Sequence, residues 1–406
     1  MTMILVEKHD YKINSKHYKE LDNVCLASKN LYNCTLYHIR QHYFETGEFL
    51  GFCRINKMSN ELFPEEYSAL PRKVSQQVQK LVDQNFRSFF NHLKARKQGK
   101  CIHIPNYLQK DGRQVVHYTK QAISFNNRNV PSGYVKLSGI SFLIKTKVSD
   151  IEFVRIVPKH NRITVEIGYR VNEQSRKYGD RYAAIDLGVN NLATMTSNVF
   201  SPIIINGKPL KSVNQYYNKR IAEESSKHRT WTKRMYSILN IRNNRINDYM
   251  HKASRYIVNQ LVENRINTLV IGYNKGWKQD INTGKRNNQK FVQIPFLTFI
   301  RMLEYKCSLV GIEVIVHEES YTSKASFYDD DAIPTYNNAP ENIEFSGKRI
   351  NRGLYRNKDG STINADVNGS MNILRKTLLE KEVWNETMFS DCIEVCSVPS
   401  VYTVKR

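Results

Sequence analysis

The stretch AAIDLGVNNLAT, residues 183–194, runs from small apolar side chains into a single carboxylate, Asp186, and then into a Gly-Val-Asn-Asn turn. That order predicts a buried strand delivering one acid to its own end, followed by a tight return. One carboxylate does little phosphodiester chemistry alone. Hard Mg²⁺ ions take oxygen ligands, and two of them must flank a scissile phosphate, so two or three acids have to converge from distant parts of a chain.

Two other places supply acids. The apolar run IEVIV (312–316) ends in His317-Glu318-Glu319-Ser320-Tyr321, which puts a carboxylate pair at a second strand end. INADVNGSMNILRK (363–376) puts Asp366 just before a helix whose Met371, Ile373 and Leu374 face a core. Side chains alternate along a strand, so at most one of Glu318 and Glu319 is expected to bind metal, and the sequence does not choose between them. Each acid also has a plainer reading. Asp366 could cap its helix, and a lone acid after a strand is more often a cap or an ion-pair partner than a ligand. Asp186 is the exception, because a carboxylate among apolar residues is costly unless a metal or hydrogen bonds compensate it.

Between and before these acids the chain alternates in a way that implies a mixed α/β sheet with parallel pairs. A long basic helix is predicted between about Val213 and Asn264, then the apolar run TLVIGY (268–273), a polar loop, and a helix from Pro295 to about Gly311. The opening MILVEKHDYKI reads as a strand, followed by helical spacing at Leu21, Cys25, Ser28, Leu31, Thr35 and Ile39. Pro71 can open a further helix carrying Val74, Val78, Val82, Phe86 and Phe89 at intervals of three or four, an aromatic stripe better read as core than as a stacking platform. From Ile102 to Val171 the pattern is β, ending in a hairpin around Lys159-His160-Asn161, which suggests a small barrel or sheet.

With 406 residues the chain is long enough for two or more units. Its 61 Lys+Arg against 38 Asp+Glu give a formal net charge of +23, interleaved with 24 Tyr and 17 Phe, a mixture suited to single strands and heteroduplexes. Candidate phosphate contacts are Arg96, Lys97 and Lys100 at the basic end of the second helix, and Lys233, Arg234, Arg242, Arg245 and Lys252 along the long one. Seven cysteines without a CxxC pair argue for a reducing cytoplasm, and the Cys392-x3-Cys396 spacing has no second pair in reach to make a zinc site. No signal-peptide order opens the chain and no window approaches a membrane span, so a cytoplasmic protein without a membrane partner is expected.

Taken in order, PRKVSQQVQKLVDQNFRSFF, YVKLSGISFLIK, AAIDLGVNNLAT, DYMHKASRYIV, LVIGYNKGW, EESYTSKAS and NADVNGSMNI resemble the TnpB family, transposon-encoded RNA-guided DNA endonucleases related to the type V CRISPR effectors. The resemblance covers most of the chain. It implies an RNase H-like RuvC nuclease domain (181–326 and 363–380) preceded by a wedge β-barrel (1–15 and 101–180) with a helical recognition insertion (16–100), and leaves 381–406 as a C-terminal tail. It also implies a guide RNA and a double-stranded target DNA as partners, two Mg²⁺ ions, and Asp186 and Asp366 as the first and third catalytic acids.

Two departures stand out. The family usually places a catalytic Glu where this chain has Gly272, and a four-cysteine zinc ribbon where residues 327–362 hold no Cys. The first leaves open whether Glu318 or Glu319 supplies the acid from a neighbouring strand, about 4.8 Å away, or whether cleavage is lost and RNA-guided DNA binding (a repressor or transposon accessory) remains. An unguided RNase H-like nuclease or transposase is a further alternative, though one with no evident use for the basic N-terminal half. The second departure implies a metal-free insertion over 327–362, with no zinc expected. Oligomeric state is left open.

Overall fold

The computed structural model describes residues 2–94, 102–274, 292–336, 340, 343–351, 353–389 and 399–405. Two compact units divide the chain, Thr2–Asn172 and Glu173–Arg406. The division falls a few residues before the one expected near 180, because residues 173–177 are tied into the second unit. Ser308 Oγ donates to Glu173 at 2.9 Å, the Lys177 N–H donates to the Gly311 carbonyl at 2.9 Å, and Arg176 pairs with Glu313.

In the first unit, β1 (Thr2–Lys12) pairs along its whole length with β7 (Arg162–Asn172). The order continues through β6 (Ile151–Lys159) to β2 (Val116–Thr119), an antiparallel four-stranded sheet. A second, three-stranded sheet holds β3 (Ile123–Asn127), β4 (Val130–Leu137) and β5 (Leu143–Lys145). Among the described residues the strands thus form two sheets around one core, and β6 and β7 meet at the expected His160-Asn161 turn. Between β1 and β2 lie α1 (Tyr18–Thr46), α2 (Phe52–Leu62), α3 (Pro64–Ser68) and α4 (Arg72–Lys94). On α4 the residues Val74, Val78, Val82 and Phe86 repeat every four positions and are buried, so the stripe is core. Each such side chain contributes roughly 1.5–3 kcal/mol through burial. Arg96, Lys97 and Lys100 lie outside the described residues.

The second unit is built on a six-stranded mixed sheet. Its strands are β8 (Tyr182–Leu187), β9 (Asn191–Ser197), β10 (Ile203–Asn206), β11 (Thr268–Gly272), β12 (Glu313–His317) and β16 (Ser400–Tyr402), ordered β12-β11-β8-β9-β10-β16. The pairs β8–β11 and β11–β12 are parallel. Residues 381–406, which offered no pattern in sequence, therefore include a strand: Tyr402 stacks on Tyr256 with centroids 3.5 Å apart, and Val404 enters the core. The single long helix expected over 213–264 is two, α5 (Lys208–Ser225) and α6 (Lys233–Glu263). They fold back on each other, with Arg234 on Glu224 near the turn and Arg242 on Asn214 farther along. The apolar residues from Met235 to Leu261 all lie on the second helix, which Thr232 starts by accepting the Met235 N–H at 3.3 Å.

Strand parity decides what each sheet face carries. Ala183, Ile185, Leu187, Leu269 and Ile271 face a core shared with α5, α6 and α7 (Phe296–Ser308). Ala184 and Val270 face the other way, against Val367, Met371, Leu374 and Leu378 of α8 (Ala365–Glu380). By the same alternation Asp186 and Gly272 look toward α8. The small sheet β13 (Lys348–Asn351), β14 (Leu354–Arg356) and β15 (Thr362–Asn364) leads directly into that helix.

Gly311, between α7 and β12, has φ +76°, and a Cβ there would stand 2.4 Å from the Ser175 carbonyl oxygen. Gly311→Ala is therefore expected to destabilise the protein by about 2 kcal/mol, read as a lower urea midpoint.

Candidate active site

Asp186 is the penultimate residue of β8, and its strand neighbour across the ladder is Thr194 of β9. Asp366 lies in the first turn of α8 rather than before it. The cap is Asn364, whose Oδ1 accepts the N–H groups of Asp366 at 3.0 Å and Val367 at 3.2 Å. This frees the Asp366 carboxylate from the capping role the sequence allowed. Glu319 follows β12, where a turn brings the chain back over the sheet edge. All three acids line one cavity of about 390 Å³, together with Gly188, Asn191, Thr194, Asn274, Ser320, Tyr321 and Arg349 among others.

The Glu pair is separated by its partners. Glu318 Oε2 accepts from the Lys376 ammonium at 2.5 Å and Oε1 from the Ser320 N–H at 3.0 Å. Burial alone would raise Glu318, but these hydrogen bonds outweigh it and hold the carboxyl below its ordinary value. Glu318 does not line the cavity. Glu319 does, and its Oε2 is buried without a hydrogen-bond partner. Its backbone is fixed by Asn274, whose Oδ1 accepts the Glu319 N–H at 3.1 Å. A Cβ on Gly272 would stand 2.6 Å from Glu319 Oε2, so the absence of a side chain on β11 leaves the space that the Glu319 carboxylate fills.

Electrostatics follow from that crowding. Burial, then the carboxylates of Glu319 and Asp366, push Asp186 well above the usual carboxylate range, with Arg349 opposing. Burial, then Glu318, push Glu319 up to about 7, against the pull of Lys376. Asp366 is engaged on both oxygens, by Asn191 Nδ2 at 2.7 Å and by Arg349 at 3.2 Å. Held in that way, the three carboxylates line the cavity without closing on one point, and among the described residues no group of three or more His, Cys, Asp and Glu forms a ready ion cage. The donor set nevertheless suits a hard divalent cation: oxygen ligands, an unpartnered buried Glu319 Oε2, and an unpartnered buried Thr194 hydroxyl in the same wall.

α8 holds the turn after β12 in place. Asn372 Nδ2 donates to the carbonyls of Thr322 at 2.9 Å and Ala325 at 2.7 Å, and Asn368 Nδ2 donates to Ala325 at 2.8 Å. Gly369 and Ser370 let the helix lie close on β8: a Cβ at Gly369 would come within 3.2 Å of Asp186 Oδ2, and Ser370 Oγ donates to the Ala184 carbonyl at 3.1 Å. None of Asn191, Thr194, Asn274, Asn368 or Asn372 was singled out from sequence. The spacing of Asn368 and Asn372, one turn apart on an otherwise buried helix face, was the signal available for two of them.

The predicted basic contacts divide. Lys233, Arg245 and Lys252 are exposed on α6, although Lys252 pairs with Asp248 at 2.9 Å and Arg245 lies over the Tyr217 ring. Arg234 pairs with the buried Glu224. Arg242 is packed against Asn214 and the Gln293 carbonyl, with burial lowering its pKa, so it serves the helix pair rather than an open surface.

A family profile described as "Probable transposase" (OrfB_IS605) matches residues 163–278, and one described as "Cas12f1-like, TNB domain" matches 296–373. A TnpB-like protein, ORF457 of Acidianus two-tailed virus, is 23% identical over 413 residues, covering 90% of this chain and 85% of its own. Over most of its length the chain is therefore similar to a TnpB-like protein. Solved structures similar to this chain include a Cas12f1–sgRNA–target DNA complex (15% identity, TM-score 0.36, 91% of this chain and 98% of that one). Another is the mini-RNA-guided endonuclease Cas_phi3 (11% identity, TM-score 0.41, 92% of each chain).

Glu319 ionises near 7 in the folded protein and near its ordinary 4.5 when unfolded, so the folded state holds the proton more tightly. The stability this provides is complete below about 4.5 and is lost as pH rises to about 7. In EDTA the melting temperature of the wild type is expected to fall across that window, and Glu319→Gln to flatten the fall.

Proposed function

We propose that the chain is an RNA-guided DNA endonuclease, with residues 181–326 and 363–380 forming an RNase H-like RuvC nuclease domain. Residues 1–15 and 101–180 would form the wedge that, with the helical insertion 16–100, grips a guide RNA largely through its backbone. The observation that carries the reading is the shared cavity of Asp186, Glu319 and Asp366 at the end of the sheet, in a chain of net charge +23 that is similar to a TnpB-like protein over 90% of its length.

Asp186, Glu319 and Asp366 would hold two Mg²⁺ ions, which supply a water-derived nucleophile at neutral pH and neutralise charge on the leaving 3′ oxygen. The chain's own residues keep those acids in position. Asn191 orients Asp366, Asn274 fixes the backbone at Glu319, and Asn368 and Asn372 clamp the turn that carries it. Lys376 neutralises Glu318 and so withholds it from the site. The proposal thus assigns the family's missing strand-end Glu to Glu319, with Gly272 making room for it, and this favours cleavage over the rival of guided binding without cleavage. Exposed Lys233, Arg245 and Lys252 would contact the phosphates of the DNA strand. Residues 327–362 would act as a metal-free insertion, which zinc analysis of the purified protein tests directly: one zinc per chain contradicts it.

The decisive experiment is to purify the protein, sequence the RNA that stays bound, and offer plasmids carrying the complementary target. Wild type is expected to cut in Mg²⁺. Asp186→Ala and Glu319→Gln are expected to lose cutting by on the order of 100-fold or more, while Glu318→Gln retains it. Loss in Glu318→Gln with retention in Glu319→Gln would reverse the assignment, and RNA-dependent binding without any cutting would establish the non-cleaving rival.

A further inference from the structure

Among the described residues, the non-glycine positions with positive φ are Asn126, Arg265, Tyr321, Asp330 and Glu382. Tyr321, at φ +66°, is the aromatic member of that set, and it lines the carboxylate cavity. A left-handed backbone is costly for a residue with a Cβ, and Gly or Asn would suit the same turn better. The conformation is held from outside the residue. Its carbonyl accepts the N–H groups of Lys324 at 2.9 Å and Ala325 at 3.1 Å, and the turn itself hangs on Asn372 of α8.

Tyr321 is the one aromatic residue lining a cavity whose other residues are mostly carboxylates, hydroxyls, amides and Arg349, with Leu187 and Gly188. The Lys324 ammonium lies 5.7 Å from its centroid, and the Phe345 ring 6.4 Å away at 34°. Three acids account for the phosphate end of a nucleotide and leave its base without a surface. A flat ring with a cation beside it supplies one, since bases stack on aromatic faces and cations track the adjoining phosphate.

We infer that Tyr321, with Lys324, forms a nucleobase-stacking subsite beside the carboxylates that seats the DNA base next to the bond to be cut. The inference rests on the nuclease reading above. On this reading the strained turn holds Tyr321 in the cavity wall, and the ring sets how firmly the strand is held rather than performing the chemistry.

The test uses the full chain with the RNA that copurifies, comparing wild type with Tyr321→Gly, Tyr321→Asn and Tyr321→Phe. Because Gly suits the backbone, Tyr321→Gly is expected to melt at the same temperature as wild type or higher. It is nevertheless expected to raise KM for target DNA by roughly 5- to 150-fold, the equivalent of losing one base stack of about 1–3 kcal/mol, with kcat little changed. Tyr321→Phe keeps KM within about twofold. A target with an abasic site beside the cut reproduces the loss in wild type and adds nothing in Tyr321→Gly. A wild-type KM in Tyr321→Gly, an equal abasic penalty in both proteins, or a loss in Tyr321→Phe matching that in Tyr321→Gly overturns the subsite. Should Tyr321→Gly not fold, Tyr321→Asn carries the same comparison. Wild type that cuts no DNA sinks the nuclease reading instead, and the subsite is then judged on Mg²⁺-free target binding, where an unchanged Kd in Tyr321→Gly overturns it.

Discussion

The second unit depends on one unfavourable arrangement: three carboxylates, Asp186, Glu319 and Asp366, share a small and partly enclosed cavity at the end of a sheet. Like charges with little water between them repel, and burial penalises each ionised form further. Asp366 is bonded to Arg349 and Asn191, and Asp186 and Glu319 are pushed toward holding protons. Such a cluster persists only where the surrounding fold is stable enough to impose it, and the same strain is relieved by a divalent cation. The site is thus destabilising by itself and suited to its proposed ligand for a single physical reason.

Imposing that arrangement falls largely to α8. It contributes Asp366 at its first turn, lies close on β8 through Gly369 and Ser370, and sends Asn368 and Asn372 to the turn that follows β12. Two buried cations complete the attachment. Arg375 donates to the carbonyls of Phe327 and Asp331 and pairs with Asp330, while Lys376 binds Glu318 and the carbonyls of Ser320 and Pro334. These contacts sort two adjacent glutamates into different environments. One is paired and held below its ordinary pKa; the other keeps its buried Oε2 without a hydrogen-bond partner.

The Glu319 carboxylate, carried by the turn after β12, fills space above the end of β11. Neighbouring parallel strands end side by side, so a carboxylate reaching from the second can occupy the volume above the first, provided the first has no side chain. Gly272 meets that condition, and Ile373 of α8 closes the space from the other side. The turn that carries Glu319 inward also forces Tyr321 into a left-handed backbone, so the position of the acid and the strain of the ring have a common origin.

The amino-acid sequence by itself determined the strand ending in Asp186, the alternation that makes a mixed sheet, the helix carrying Asp366, the buried stripe of α4, and a charge suited to nucleic acid. These are local properties: periodicity, composition and turn chemistry act over a few residues and need no partner. Tertiary structure alone decided which glutamate faces the cavity, because Lys376 and Asn274 lie about 58 and 45 positions away from their partners in the chain. It likewise decided that Arg242 packs inside the α5–α6 pair, that the one helix expected over 213–264 is two, and that residues 400–402 complete the sheet beside β10. Each of these depends on contacts between segments far apart in sequence, which a short-range pattern cannot encode.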